Sequence, residues 1–384
     1  MLGSVSWVRG IGTLVFVVAI ASFARAATAP QDFLPSELSA CAQQVPVTGN
    51  VPPNGAPVPN PFLGEFSGGF FHVGRISDGL FFATDGAFQA VFAVTRRGIL
   101  LVDAPPSIGF NPVDPASSVS ILDVIFSIPE TQGLEIRKMI YSHPHLDHIG
   151  QASKVRDAFP DVEIIAQSET ARTIVRGTGE FGVFNANGGE NPPPVPTRTF
   201  RKRATVRLGG QTVRLFYRGP IHSVGNSFIH FPQQRALMLV DVVAPGSAQF
   251  TNLEESVDIP AFVGAFDQIL EFDFDVFVGG HDNRIGTRAD VEESKLYVQD
   301  VLRNAATANR DPSTNAIFGV LPQNALVAFA ISRDEVACTC ANLTLDPART
   351  PSGTDWRARF KGADFLTVTN CFAAAEALRI DPSF

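Results

Sequence analysis

From residue 70 onward the chain alternates between short apolar runs and polar turns. The runs FFHVGRISDGLFFATD, FQAVFAVT and GILLVDA are rich in Phe, Val, Ile and Leu and are separated by Gly and Asp. Such runs bounded by turn residues predict successive strands, partly antiparallel. After Pro105 a helical stretch over 119–128 leads into the apolar strand KMIYS, then a helix over 150–159 and the buried strand VEIIAQ. The pairing recurs with FIHFP and ALMLVDVV as strands, a helix over 261–272, DVFVGG as a strand and a helix over 291–308. Two similar halves of mixed strands and helices predict an α/β sandwich.

The flanks read differently. Residues 1–26 carry Arg9, an apolar run from about Ile11 to Phe23, and Ala24-Arg25-Ala26, a small-x-small processing signal. A span of a bilayer takes ~20 apolar residues, and this run is shorter, so it reads as a secretory signal peptide. No later stretch is apolar enough to span a membrane, and the expected location is secreted or periplasmic. Residues 27–62 run through VPVTGNVPPNGAPVPNPF, where close prolines and glycines forbid regular structure and predict an extended arm. Residues 63–310 form the expected principal domain. Within it, 179–200 reads as a long loop, a length often used for functional lids. Beyond about Asp311 the pattern weakens, and 311–384 is expected to be a C-terminal extension.

Composition narrows the picture. With 384 residues and 45% hydrophobic content, the chain can bury a large core. Its net charge is −8, and its basic residues form no run that could track a phosphate backbone, which argues against nucleic acid as a partner. Four cysteines, Cys41, Cys338, Cys340 and Cys371, suit an oxidising compartment. A bridge within Cys338-x-Cys340 would be strained, which leaves Cys41 joined to one of them and Cys371 to the other.

The candidate chemistry lies in the histidines. Of seven in the chain, His143, His145 and His148 fall in SHPHLDHIG with Asp147 beside them. The strand KMIYS ends just before, so His143 and His145, two apart, project to one side, while Asp147 and His148 face a neighbouring point as the chain enters a helix. Two adjacent clusters of nitrogen and carboxylate donors are what two divalent ions require. His222 occupies a loop between the strands VRLFY and FIHFP. Asp241 ends the apolar run ALMLV, where a carboxylate needs something cationic facing it. His281 likewise follows DVFVGG.

Over roughly residues 70–308 the sequence resembles the metallo-β-lactamase superfamily. The histidine-x-histidine-x-aspartate-histidine signature is met in full. Ile221-His222-Ser223-Val224-Gly225-Asn226 resembles the family's glycine-histidine-threonine loop, LMLVDVV its strand ending in aspartate, Gly280-His281 its final histidine, and GILLVDA its leading strand, with Asp103 in the usual place. Two glycines usual beside ligands are Ile221 and Val240 here.

The resemblance implies an αβ/βα four-layer sandwich with two metal ions, zinc first, with iron and manganese as alternatives. It implies that His143, His145 and His222 hold one ion, that Asp147, His148 and His281 hold the other, and that Asp241 bridges them. Such ions lower the pKa of water from ~15.7 to about 7 and place a hydroxide between them, so no serine elbow is needed, and none is present. Asp147 is the expected proton carrier. Asp241 at the bridging place resembles the lactonases and thioester hydrolases of the superfamily.

The expected function is hydrolysis of an acyl bond in a small-molecule substrate, a lactone or related carboxylic ester first. A β-lactam or thioester is the alternative, and an iron-dependent oxidoreductase or a binding protein on the same scaffold is a further one. The 32 phenylalanines against three tyrosines include a dense group between Phe62 and Phe92 that suits an apolar cleft wall. If the signal is processed, the exported protein should begin at Ala27, which mass spectrometry of the secreted chain will check.

Overall fold

The computed structural model describes residues 71–111, 114–178, 192–282, 284–381 and 383–384. The expected signal peptide, the arm and residues 179–191 of the long loop lie outside the described residues. The first sheet begins as an antiparallel meander of β1 (His72–Ser77), β2 (Leu80–Thr84), β3 (Gln89–Thr95) and β4 (Gly98–Val102). It continues in parallel through β5 (Ile136–Ile140), β6 (Glu163–Gln167) and β7 (Arg198–Phe200), in strict sequence order. The second sheet runs from β8 (Arg203–Leu208) and β9 (Gln211–Phe216) through β10 (Phe228–Phe231) and β11 (Ala236–Met238) to β12 (Val276–Val278), whose pairing with β11 is parallel.

Strand alternation decides the layering. Leu80, Val91, Leu100 and Ile140 of the first sheet pack with Val213, Ile229, Met238 and Val276 of the second, forming the core between the sheets. The opposite faces of β2 and β3, with Phe81, Ala83, Ala90 and Phe92, are also buried. They meet the helices α1 (Ile121–Ile125), α2 (Leu146–Ile149) and α3 (Ala152–Ala158), while α4 (Ser168–Gly177) follows β6. Strands buried on both faces read as continuous apolar runs, as LFFAT does. The outer face of the second sheet carries α5 (Ile259–Leu270) and α6 (Arg288–Arg310), giving four layers, helix, sheet, sheet, helix.

Several expected elements differ in extent. The helix expected over 119–128 is only α1, started by a Ser120–Asp123 capping box and followed by a short 3-10 turn at Pro129–Thr131. ALMLVDVV is a strand only over Ala236–Met238. Its continuation still donates from Leu239 N–H to Val278 O (3.2 Å) and from Asp241 N–H to Gly279 O (3.1 Å), but Asp241 turns to φ 60°. The 179–200 segment ends in β7, because Arg198–Phe200 finds an open parallel edge on β6.

The C-terminal residues are built into the molecule. The helices α7 (Ile317–Val320), α8 (Ala325–Leu345), α9 (Trp356–Arg359) and α10 (Ala363–Ile380) follow α6. Val336, Cys340, Trp356, Phe360 and Ala374 share one buried cluster with Phe266, Tyr297 and Val301 of α5 and α6. The weak apolar periodicity of 311–384 hides this, because α8 and α10 are apolar on more than one side. Among the described residues no helix is long and apolar enough to cross a membrane.

Cys340 and Cys371 are joined, tying α8 to α10 across 31 residues, and Cys338 is also disulfide-bonded. Cys371 thus pairs with one member of the Cys338-x-Cys340 pair; the expectation for Cys41 lies outside the described residues. Closing a loop of this length restricts the unfolded chain by about 3–4 kcal/mol in the chain-entropy account. A Cys340→Ala, Cys371→Ala double variant should therefore lose stability of this order, read as a lowered urea midpoint with an intact far-UV spectrum.

Candidate metal centre

All seven sequence-derived residues stand at or just beyond the carboxyl ends of strands, the side of an α/β sheet where ligands bind. β5 ends at Ile140, and Tyr141 and Ser142 carry the chain to His143, which is fully buried. His145 is extended (φ −73°, ψ 142°) and starts α2, whose first turn presents Asp147 and His148. His222 lies in the loop between β9 and β10, Asp241 in the exit from β11, and His281 in the exit from β12.

Two close donor groups result: His143, His145, His222 and Asp241 in one, Asp147, His148 and His281 in the other, with the donor atoms of each within 4.8 Å of one another. Asp241 belongs to both by geometry. Its Oδ2 lies 3.3 Å from His143 Nε2 and 3.1 Å from His222 Nε2. Its Oδ1 lies 3.3 Å from His148 Nε2 and 2.9 Å from His281 Nε2. His145 Nδ1 is 2.9 Å from His222 Nε2, and Asp147 Oδ2 is 3.5 Å from His148 Nε2.

The rings are held from behind. His281 Nδ1–H donates to Ala87 O at 3.1 Å, His222 Nδ1–H donates to Glu254 O, and His143 Nδ1 bonds Ser142 Oγ at 2.9 Å. Occupying Nδ1 leaves the Nε2 lone pair aimed inward, the arrangement that metal-binding histidines use. His143 Nε2 and Asp241 Oδ1 are buried without any hydrogen bond, a costly state for polar atoms. A tetrahedral ion with donors at ~2.1 Å sets neighbouring donors about 3.4 Å apart. The observed separations, 2.9 to 3.5 Å, lie close to that. These His and Asp groups suit a dinuclear metal site.

Electrostatics agree. Burial holds His143 and His145 below the usual histidine range, so both are neutral donors. Burial also opposes charge on His148, but Asp241, Asp147 and Asp103 override it and push the ring up to about 9. Asp241, despite its burial, is kept well below the usual carboxylate range by His148, His281 and His143. The carboxylates around His148 thus favour positive charge at the centre of the cluster.

Asp103 is a brace and not a donor to the cluster. Fully buried after β4 with φ 61°, it accepts from Ser142 N–H at 2.8 Å, and burial pushes it up to about 7. Gly279 and Gly280 shape the exit from β12. A Cβ on Gly279 would lie 2.0 Å from Val243 O, and one on Gly280, at φ 90°, 2.5 Å from Val240 Cγ1. The departure at Val240 is accommodated in this way, since its side chain fills the space that Gly280 leaves open. Ile221, the other departure, joins the outer core.

Some site residues give no sign in the sequence. Asn252, Leu253, Glu254 and Glu255 form a left-handed turn, with φ of 54°, 55°, 60° and 49°. Such backbone costs ~1–2 kcal/mol per non-glycine residue. It places the Glu254 carbonyl on His222, and the buried Glu254 carboxyl, pushed up to about 7 by burial, accepts from Phe250 N–H at 2.9 Å.

A cavity of about 630 Å³ opens over the donors, with Phe88, Ala248, Phe250 and Leu366 on its apolar side and Lys361 at its edge. Of the phenylalanines between 62 and 92, Phe88 walls the cavity, its ring 4.7 Å from that of His281, while Phe81, Phe82 and Phe92 are core.

The metallo-beta-lactamase superfamily profile matches residues 113–281, a span that holds all seven donors. The chain is 31% identical over 217 residues to the 2,4-dinitroanisole O-demethylase subunit alpha of Nocardioides sp. (strain JS1661), covering 56% of this chain and 58% of that relative. The chain thus spans little more than half the length of the relative it matches. Among solved structures, the stereoselective inverting sec-alkylsulfatase Pisa1 from Pseudomonas sp. superposes with a TM-score of 0.51 at 16% identity, over 81% of this chain and 50% of that one. A metallo-beta-lactamase from Pontibacter korlensis gives 0.44 at 19% identity, over 59% of this chain and 97% of that one. The four-layer fold is thus of the metallo-beta-lactamase type, and within it residues 113–281 match the metallo-beta-lactamase superfamily.

Proposed function

We propose that this chain is an exported zinc-dependent hydrolase that adds water across an activated C–O bond of a small molecule, a lactone or related carboxylic ester first. The observation that carries this reading is Asp241, whose two oxygens are divided between the two donor groups at the floor of the cavity. In the proposed assignment His143, His145 and His222 hold one ion, Asp147, His148 and His281 the other, and Asp241 both. Nitrogen-rich donors in tetrahedral spacing favour zinc among the divalent ions. Bound there, the ions would supply a nucleophile at neutral pH by lowering the pKa of water from ~15.7 to about 7.

The chain's own residues supply the rest. Phe88, Phe250 and Leu366 exclude water from one side of the cavity and offer an apolar surface to the substrate body. Asp147, with its side chain 45% exposed, can turn one oxygen to the donor group while the other accepts a proton from water and returns it to the departing oxygen. Asp241 has no such freedom, because both its oxygens face imidazoles.

A second reading is supported by the relative named as a 2,4-dinitroanisole O-demethylase subunit. An activated aryl methyl ether and water give a phenol and methanol, again by attack of water at an electron-poor carbon bearing oxygen. The same donors and proton carrier serve both reactions. A screen of lactones, carboxylic esters, thioesters, β-lactams and nitro-substituted aryl methyl ethers on purified protein decides between them. Turnover of the ether alone would replace the first reading with the second.

Elemental analysis should find close to two zinc ions per chain, with hydrolysis abolished by chelation; one ion or none would defeat the dinuclear reading. Because His148 must lose its proton to donate, ion uptake at neutral pH should release a proton, and affinity should rise with pH toward about 9. Calorimetry in buffers of different ionisation enthalpy reads that release.

Replacing Asp147 with Asn keeps the shape and removes the basic site, so Asp147→Asn should stay ~10²- to 10⁴-fold slow at saturating zinc. Asp241→Asn should instead fail chiefly by losing metal, read as reduced zinc content. Full recovery of Asp147→Asn in excess zinc would show that Asp147 is a ligand alone.

A further inference from the structure

We infer that Asn370, on a C-terminal helix beyond the matched family domain, is a positioning residue for the metal centre. It holds the left-handed turn at residues 252–255 so that the Glu254 carbonyl keeps His222 Nε2 aimed at the ion. The inference rests on the metal reading above.

Within the turn Glu254 bonds back to Phe250, its N–H donating to Phe250 O at 3.1 Å and its carboxyl accepting from Phe250 N–H at 2.9 Å, while Leu253 N–H is left to a partner outside the turn. Four successive side-chain-bearing residues sit at φ between 49° and 60°, a conformation that such residues leave unless outside contacts fix it. Those contacts come from α10. Asn370 Oδ1 accepts from Leu253 N–H at 2.7 Å, and Asn370 Nδ2 donates to Gln249 O at 2.9 Å and to Tyr297 Oη at 3.2 Å. Thr369 Oγ1 accepts from Asn252 N–H at 3.3 Å.

Asn370 therefore grips the chain on both sides of the turn, at Gln249 before it and at Leu253 within it. It is fully buried, as are Gln249 and Leu253, so water cannot substitute for these bonds. Only a primary amide offers an acceptor and two donors from one short side chain.

The grip is itself anchored. Tyr297 Oη is 2.9 Å from Thr367 Oγ1, and the residue after Asn370 is Cys371, bonded to Cys340. The far end of the chain of contacts is the imidazole. Leu253 and Glu254 are adjacent, so releasing Leu253 N–H leaves the Glu254 carbonyl held only through the bonds of Glu254 to Phe250, and the partner that fixes the Nδ1–H tautomer of His222 is loosened. Partners of this kind behind a metal ligand are typically worth 10- to 100-fold in metal affinity.

The test compares Asn370→Ala with Thr344→Val. Thr344→Val removes two other buried bonds, one accepted from Asn304 Nδ2 at 3.1 Å and one donated to Cys340 O at 2.9 Å; it lies in the same helical layer and makes no bond to the turn, while the Cys340–Cys371 bond itself stays intact. Zinc affinities are resolved by chelator competition, and the His222 tautomer is read by long-range nitrogen–proton NMR of the metal-free protein. Asn370→Ala should weaken one ion about 10- to 100-fold, leave the other within a few fold and mix the His222 tautomers, while Thr344→Val changes none of these.

Unchanged affinities in a folded Asn370→Ala, or equal loss at both ions, would overturn the assignment. Should Asn370→Ala not fold, Asn370→Asp keeps the acceptor for Leu253 N–H and loses the donors; it should show a smaller loss at the same single ion, and no loss would count against the brace. An Nε2–H tautomer of His222 in the unsubstituted protein overturns it without any variant. If the unsubstituted protein takes up no metal, both this inference and the metal reading fall, whereas two ions bound alike in every variant removes the brace alone.

Discussion

Five imidazoles and two carboxylates converge on a floor only a few ångströms across, and their mutual repulsion is the constraint around which the molecule is organised. Lone pairs at 2.9 to 3.5 Å from one another are unfavourable unless positive charge lies among them. The carboxylates Asp241, Asp147 and Asp103 favour such charge on His148. A pair of divalent ions would supply it more completely, and the Asp241 carboxylate, with one oxygen toward each group, is placed to share them.

Holding such a cluster requires rigid surroundings, and the fold supplies them at some conformational expense. Asp103, Asp241 and Asp282 all adopt positive φ at strand exits, as do the four residues of the turn under His222. Strain of this kind concentrates at functional sites where packing over-determines the backbone. Here the packing is the inter-sheet core beneath and the helical layer outside. The layer includes α8 and α10, so the C-terminal segment contributes to the site as scaffold and, through Leu366 and Lys361, as cavity lining.

Several functional features are legible in the order of residues alone. SHPHLDHIG carries four donors in nine residues, and local spacing alone puts them at one strand exit. Asp241 and His281 are readable because a charged or polar residue at the end of an apolar run is conspicuous. The strands themselves are readable as apolar runs, though ALMLVDVV reads as longer than it is. Its composition reports burial, and burial continues past the point where Asp241 leaves the extended conformation.

What the amino-acid order determined by itself is therefore what short range can encode: the strands, the turns and the histidine cluster. Tertiary structure alone decided which oxygen of Asp241 faces which ring, that the 252–255 turn is left-handed, and that Asn370 reaches it. No propensity predicts four consecutive non-glycine residues at positive φ, because the local energy opposes it. Hydrogen bonds from more than a hundred residues away, that of Asn370 made inside a closed core, join the local bonds between Glu254 and Phe250 in holding it in place.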